Sequence, residues 1–208
     1  MEVNNRSFEG HVDPDAKGTV VHLLWKVVSA IFFVQPVPVP YKVKAVLLSL
    51  FGAKVGKRVA VAQGARIKYP WRFEVGDDTW IGENARIENW VTVRLGSSVT
   101  LSQEAMLMTG NHDYKCLRFS LLLKSVEVEG GAWIGARGIV CPGVTCRSHS
   151  VLSVGSVATK DLQPYTIYQG NPAEPRRSRE IRPHKDRNDH DRGHRRNDKE
   201  EGGIEHVA

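Results

Sequence analysis

Residues 75–107 read Val75-Gly-Asp-Asp-Thr-Trp-Ile81-Gly-Glu-Asn-Ala-Arg-Ile87-Glu-Asn-Trp-Val-Thr-Val93-Arg-Leu95-Gly-Ser-Ser-Val-Thr-Leu101-Ser-Gln-Glu-Ala-Met-Leu107. An aliphatic residue returns every six positions at Val75, Ile81, Ile87 and Val93. After a slip of two the series resumes at Leu95, Leu101 and Leu107. Upstream the same spacing gives Val55, Val61, Ile67 and Phe73; downstream it gives Val128, Ile134, Val140, Cys146 and Leu152. The fourth residue after a start is small or β-branched almost throughout, as at Ala65, Ala85, Ala105, Ala132 and Ser156; Trp71 and Asn111 depart from the rule.

A helix repeats near 3.6 residues and an alternating strand near 2. A period of six fits neither. It fits very short strands joined by tight corners, each strand turning one aliphatic side chain inward. Three such sides make one coil, and stacked coils make a parallel β-helix. An all-β sandwich with accidental spacing is the rival fold, and the number of positions that keep phase weighs against it. Starts three hexads apart should stack, with Val55, Val75, Leu95, Val128 and Cys146 in one column. Ile81, Leu101, Ile134 and Leu152 should form another. The spacing does not fix the hand, although the general rule for parallel crossovers is right-handed.

The rest of the chain fits around this solenoid. Its 208 residues, 41% hydrophobic and 25% charged, suit one domain with appendages. They exclude a wholly disordered chain and a polytopic membrane protein. The net charge of +6 is spread out, and the segment from Ala173 onward holds 10 basic and 9 acidic residues. No patch or stripe points to a nucleic-acid partner. Three cysteines without a CxxC pair give no disulfide framework, so a reducing compartment is expected.

Residues 1–18 read as a flexible segment without signal-peptide character. Residues 19–51 read as one or two helices, divided at Gln35-Pro36-Val37-Pro38-Val39-Pro40, that cover the open end of the coil stack. The apolar run 19–34 is shorter than the roughly 20 residues of a membrane span. Packing against the coil is its first reading and a helix lying on a membrane surface its second. The coil domain spans 52–172 and carries a loop insertion at 113–127. Within 173–208, residues 176–181 suggest a short basic helix, and the charged remainder suggests disorder.

His112 ends a hexad where the repeat breaks into the loop, which should put it at a solvent-facing corner. An imidazole, with its ordinary pKa near 6.5, suits proton abstraction near neutrality. Asn111 and Asp113 are candidates to support it. Asn84 and Asn89, one coil earlier, are candidate substrate contacts. A catalytic zinc held by histidines needs three of them around one metal, and only His112 and His149 lie in the repeat. No metal is therefore expected.

Several stretches in this order resemble the hexapeptide-repeat acyltransferases, and among them the bacterial exopolysaccharide O-acetyltransferases of the colanic acid type. They are Ile67-Lys68-Tyr69-Pro70-Trp71, Thr109-Gly110-Asn111-His112-Asp113-Tyr114, Ala132-Trp133-Ile134-Gly135-Ala136, Val140-Cys141-Pro142-Gly143-Val144, Gly155-Ser156-Val157-Ala158-Thr159-Lys160-Asp161-Leu162 and Tyr168-Gln169-Gly170-Asn171-Pro172-Ala173. The resemblance implies a left-handed β-helix, a homotrimer, and direct acetyl transfer from acetyl-CoA to a sugar hydroxyl of an exopolysaccharide precursor. His112 would be the base. It further implies that CoA lies in a groove between two coil stacks, beside Trp133, Gly135, Ala136, Ser153, Gly155, Ala158 and Lys160, with Asn171 and Arg177 toward the nucleotide. A cytoplasmic enzyme is expected, with contact at the inner face of the plasma membrane as the second reading. The alternatives are a γ-class-like zinc hydratase, an acetyltransferase of the same fold acting on xenobiotics or free sugars, and a non-catalytic trimeric scaffold.

Overall fold

The computed structural model describes residues 18–35 and 38–182. The expectations for the extreme N-terminus and for the tail beyond Arg182 lie outside these residues.

Strands of two or three residues wind into a triangular coil with three parallel faces. The first face stacks Lys54–Val55, Phe73–Val75, Val93–Leu95, Val126–Val128 and Thr145–Cys146. The second runs from Ala60–Val61 through Trp80–Ile81, Thr100–Leu101, Trp133–Ile134 and Val151–Leu152 to Thr166–Gly170. The third holds Arg66–Ile67, Arg86–Glu88, Met106–Met108, Ile139–Val140 and Val157–Ala158. The register follows the six-residue pattern. Val55 pairs with Val75, Val75 with Leu95, Leu95 with Val128, and Val128 with Cys146. Ile81, Leu101, Ile134 and Leu152 form the second column. These side chains fill the prism, and Val61, Ile81, Leu101, Ile134 and Leu152 are 0% exposed. Each such burial contributes ~1.5–3 kcal/mol.

The corners explain the other sequence signals. The turn often needs a left-handed residue, taken by Asp78 (φ 57) and Asn84 (φ 56), types whose short polar side chains tolerate it. The glycine after a start serves close approach. A Cβ on Gly82 would stand 2.7 Å from the Leu101 carbonyl oxygen of the next coil.

Helix α1 (Thr19–Ser29) continues into a wider turn, Ala30–Val34, and α2 spans Tyr41–Leu50. Both pack on the first coil. Trp25 is buried and donates its indole N–H to the Ile67 carbonyl at 2.8 Å. Gly64 N–H donates to the Phe33 carbonyl at 2.7 Å. Lys44, also buried, donates to Gln63 Oε1 at 3.1 Å, and burial lowers its pKa. Among the described residues, no helix is long and apolar enough to cross a membrane.

Two expectations need correction. The loop insertion expected at 113–127 is a hairpin with other bounds. Gly110–His112 pairs antiparallel with Leu121–Leu123, and Val126–Val128 is already back in the first face. The leucine run supplies the second arm. Residues 176–181 form no helix. Ala173–Ser178 is a strand paired antiparallel with Thr166–Gly170. Pro172 and Pro175 oppose a helix, and the last parallel strand offers an unpaired edge that this segment covers.

Candidate active site

His112 rises from the edge between the third and first faces. Successive corners stack there at 68–72, 89–92, 109–125, 141–144 and 159–161. Two side chains latch the upper corners together. Asn89 is 0% exposed; its Oδ1 accepts from Tyr69 N–H at 3.0 Å, and its Nδ2 donates to the Tyr69 and Arg72 carbonyls at 2.7 and 3.1 Å. One coil on, Thr109 Oγ1 donates to the Glu88 carbonyl at 3.0 Å and accepts from Val91 N–H at 3.3 Å. The hairpin projects directly beyond this latch. Trp90 abuts its first residue, since a Cβ on Gly110 would lie 3.3 Å from Trp90 Cδ1.

The His112 ring lies flat on Phe119, with centroids 4.3 Å apart and planes 7° from parallel. Its Nδ1 is 2.8 Å from the Phe119 carbonyl oxygen. A carbonyl only accepts, so this contact assigns the proton to Nδ1 and the lone pair to Nε2. That is the tautomer a general base uses. The sequence did not reveal Phe119, because its contribution is a backbone oxygen brought back by the hairpin.

Each of the expected supporting residues bonds to the hairpin's own backbone. Asn111 Oδ1 accepts from the His112 backbone N–H at 2.8 Å, and Asp113 Oδ1 from Lys115 N–H at 3.0 Å. Both shape the hairpin. Asn89 is corrected outright, because its amide is buried and committed to three backbone groups, so it meets no acceptor. Asn84 is exposed, but on the edge between the second and third faces, beside a cleft of about 360 Å³ lined with Arg66, Arg86, Glu104 and Arg137.

That second edge also carries most residues expected to meet CoA. Gly135 and Ala136 lie on one corner, Ser153 and Gly155 on the next, and Asn171 just beyond. Gly155 N–H donates to the Ala136 carbonyl at 2.8 Å, and Gly170 N–H to Ser156 Oγ at 3.0 Å. Trp133 stands on the outer side of the second face, 45% exposed, with its indole N–H on Ser102 Oγ at 2.8 Å. Lys160 is exposed on the His112 edge, and Arg177 is exposed on the final antiparallel strand. Ala158 is corrected: its methyl group points into the core at 1% exposure. The third face separates the His112 edge from the other. One chain therefore does not bring its histidine and these corners together.

The cysteines do not compete as nucleophiles within the coil. Burial raises the Cys141 thiol pKa and pushes that of Cys146 far above its ordinary value, with Asp161 adding to the second effect. Among the described residues, no group of three or more His, Cys, Asp or Glu side chains is placed to hold a metal ion.

The chain is 33% identical over 153 residues to the Escherichia coli (strain K12) protein assigned as colanic acid biosynthesis acetyltransferase WcaF, covering 74% of this chain and 84% of that one. It belongs to the hexapeptide-repeat acetyltransferases. The galactoside O-acetyltransferase of the same organism is 29% identical over 141 residues, covering 66% and 67% of the two chains. No protein-family model matches. Solved structures that share the fold include two with a bound coenzyme. One is the acetyltransferase VCA0836 of Vibrio cholerae complexed with acetyl coenzyme A (TM-score 0.72, 20% identity, 87% of this chain and 100% of that one). The other is a galactoside acetyltransferase in complex with coenzyme A (TM-score 0.69, 23% identity, 76% and 80%). The coil is accordingly the left-handed β-helix of these enzymes, against the general crossover rule. That rule was framed for long connections packing on a sheet, whereas these corners are only a few residues long.

Proposed function

We propose that this acetyltransferase moves the acetyl group of acetyl-CoA directly to a sugar hydroxyl of an exopolysaccharide precursor, with His112 as general base. The observation that carries the reading is the His112 ring, held by stacking and by its Nδ1 contact with a backbone carbonyl, so that Nε2 keeps the lone pair. The acceptor hydroxyl gives its proton to Nε2 as its oxygen attacks the thioester carbonyl carbon. The tetrahedral oxyanion then collapses, the carbon–sulfur bond breaks, and the imidazolium returns the proton to the CoA thiolate. A positioned base of this kind is worth roughly 10²–10⁴-fold in rate. The sugar acceptor is supported by the names of the two Escherichia coli relatives.

The separation of the two edges supports a homotrimer. When prisms pack side by side about a threefold axis, the His112 edge of one chain can face the Gly135–Gly155 corners of its neighbour. The thioester would lie in the groove between them. Trp133, Ser153, Lys160, Asn171 and Arg177 remain the candidates to line it.

The test is His112→Ala. It should lower acetyl transfer at least about a hundredfold while CoA binding, measured by calorimetry, stays within a factor of two. Full transfer by this variant would reject the base assignment.

A further inference from the structure

Among the described residues, nothing covers one side of the N-terminal helices. Val20, Leu23, Leu24, Val27 and Ile31 are 70, 62, 53, 51 and 51% exposed. In α1 the spacing places Val20, Leu23, Leu24 and Val27 on one helix face, and Ile31 follows in the turn. Trp25 and Phe33 are buried against the first coil instead. In α2, Val43, Val46 and Leu50 are 40, 58 and 75% exposed, while Lys44 and Leu48 are buried. The hairpin insertion also exposes Tyr114, Leu117, Phe119 and Leu122, but the two helices expose twice as many large apolar side chains.

The charge around them is one-sided. Residues 19–50 contain Lys26, Lys42 and Lys44 and no aspartate or glutamate. Lys26 and Lys42 are exposed. On the coil, by contrast, cations stand against carboxylates, as in Lys54–Glu74, Arg58–Asp78, Lys68–Glu88 and Arg137–Glu104. Glu83 of the coil borders the α2 end of the segment, beside Tyr41 and Lys44, but the segment itself carries only cations, and an apolar stripe with such a charge complements one kind of surface, an apolar layer bordered by anionic headgroups.

We propose that the segment 19–50 seats this protein on the surface of an anionic lipid bilayer. The α1 stripe enters the acyl boundary, and Lys26 and Lys42 meet the headgroups. Neither helix is long enough to cross, so the contact lies in the plane of the interface. Its consequence for the reaction rests on the transferase reading above: the acceptor glycan is anchored to lipid and meets the enzyme at that surface.

The experiment is flotation of the full-length protein with vesicles of phosphatidylcholine alone, or of equal parts phosphatidylcholine and phosphatidylglycerol. The wild type should float with the mixed vesicles and much less with the neutral ones. Lys26→Gln with Lys42→Gln should weaken partitioning onto the mixed vesicles by roughly tenfold or more, since each cation near such a surface adds on the order of a factor of five. Leu23→Gln with Val27→Gln and Ile31→Gln should abolish flotation. Both variants should keep the wild-type melting temperature and oligomer size. If the apolar variant does not fold, the lysine variant and the loss of binding at high salt carry the test.

A wild type that ignores both vesicles overturns the proposal. So does a stripe variant that becomes a smaller oligomer, because the stripe would then be an interface between copies of this chain. Flotation without acetyl transfer would instead count against the transferase reading alone.

Discussion

Asn89→Ala tests whether the His112 edge is understood. The side chain is fully buried and makes three bonds, all to the backbone of the corner one coil above. A net ~1 kcal/mol per bond, with one N–H and two carbonyls left unmet, gives roughly 3 kcal/mol of destabilisation. For a domain of this size that corresponds to a fall of roughly 10 °C in melting temperature. Asn89→Asp should be worse at neutral pH, because a carboxylate oxygen would face the Tyr69 and Arg72 carbonyls where the amide now donates. Thermal unfolding followed by circular dichroism measures both. Activity of the folded fraction should change little, since the amide is closed off from any acceptor. Unchanged melting together with a raised KM for the sugar would refute this reasoning and restore Asn89 as an acceptor contact.

Gly135→Ala would place a Cβ 2.7 Å from Val154 N and 2.8 Å from the Leu152 carbonyl oxygen. The corners should move apart at a cost of about 1–3 kcal/mol, read as a lower denaturation midpoint and weaker CoA binding. Glu74 accepts from Lys54 at 2.9 Å and Arg94 at 3.2 Å, and these bonds, the Lys54 one foremost, hold its carboxyl below the ordinary value. Such a group adds stability above its unfolded pKa and loses it as pH falls through the folded one. Glu74→Gln should therefore lower stability at neutral pH and flatten its loss below about pH 4.5, checked by urea unfolding across pH.

The coil was legible because each strand commits a single inward position, so the core is written along the chain at period six. Stacked columns such as Val75 on Leu95 follow from that period alone. The corner latches were not legible. Asn89 reads as a polar residue free to meet a ligand until the coil above closes over it. The end of the solenoid was also misread, since 173–178 is polar and charged and becomes a strand only because Thr166–Gly170 leaves an edge to cover. His112 could be found in the sequence as the residue at the break in the repeat. The carbonyl that fixes its tautomer belongs to Phe119, seven residues on, and no side-chain pattern announces a backbone oxygen.

The shared site is tested most directly by mixing two inactive proteins. His112→Ala lacks the base but keeps the corners. Gly155→Trp keeps the base and places a large side chain on an open corner, where nothing lies within 4 Å of an added Cβ and where the strain of a left-handed φ of 66° is one that Asn84 and Arg137, at φ 56 and 58, already bear on the same edge. Unfolded together and refolded at equal amounts, the two chains should form mixed trimers. If each site joins an edge from one chain to an edge from the next, random mixing restores about one quarter of wild-type acetyl transfer, because an intact site needs one particular chain in each of two places. No recovery, with mixed trimers present, would place the whole site in a single chain and contradict the account.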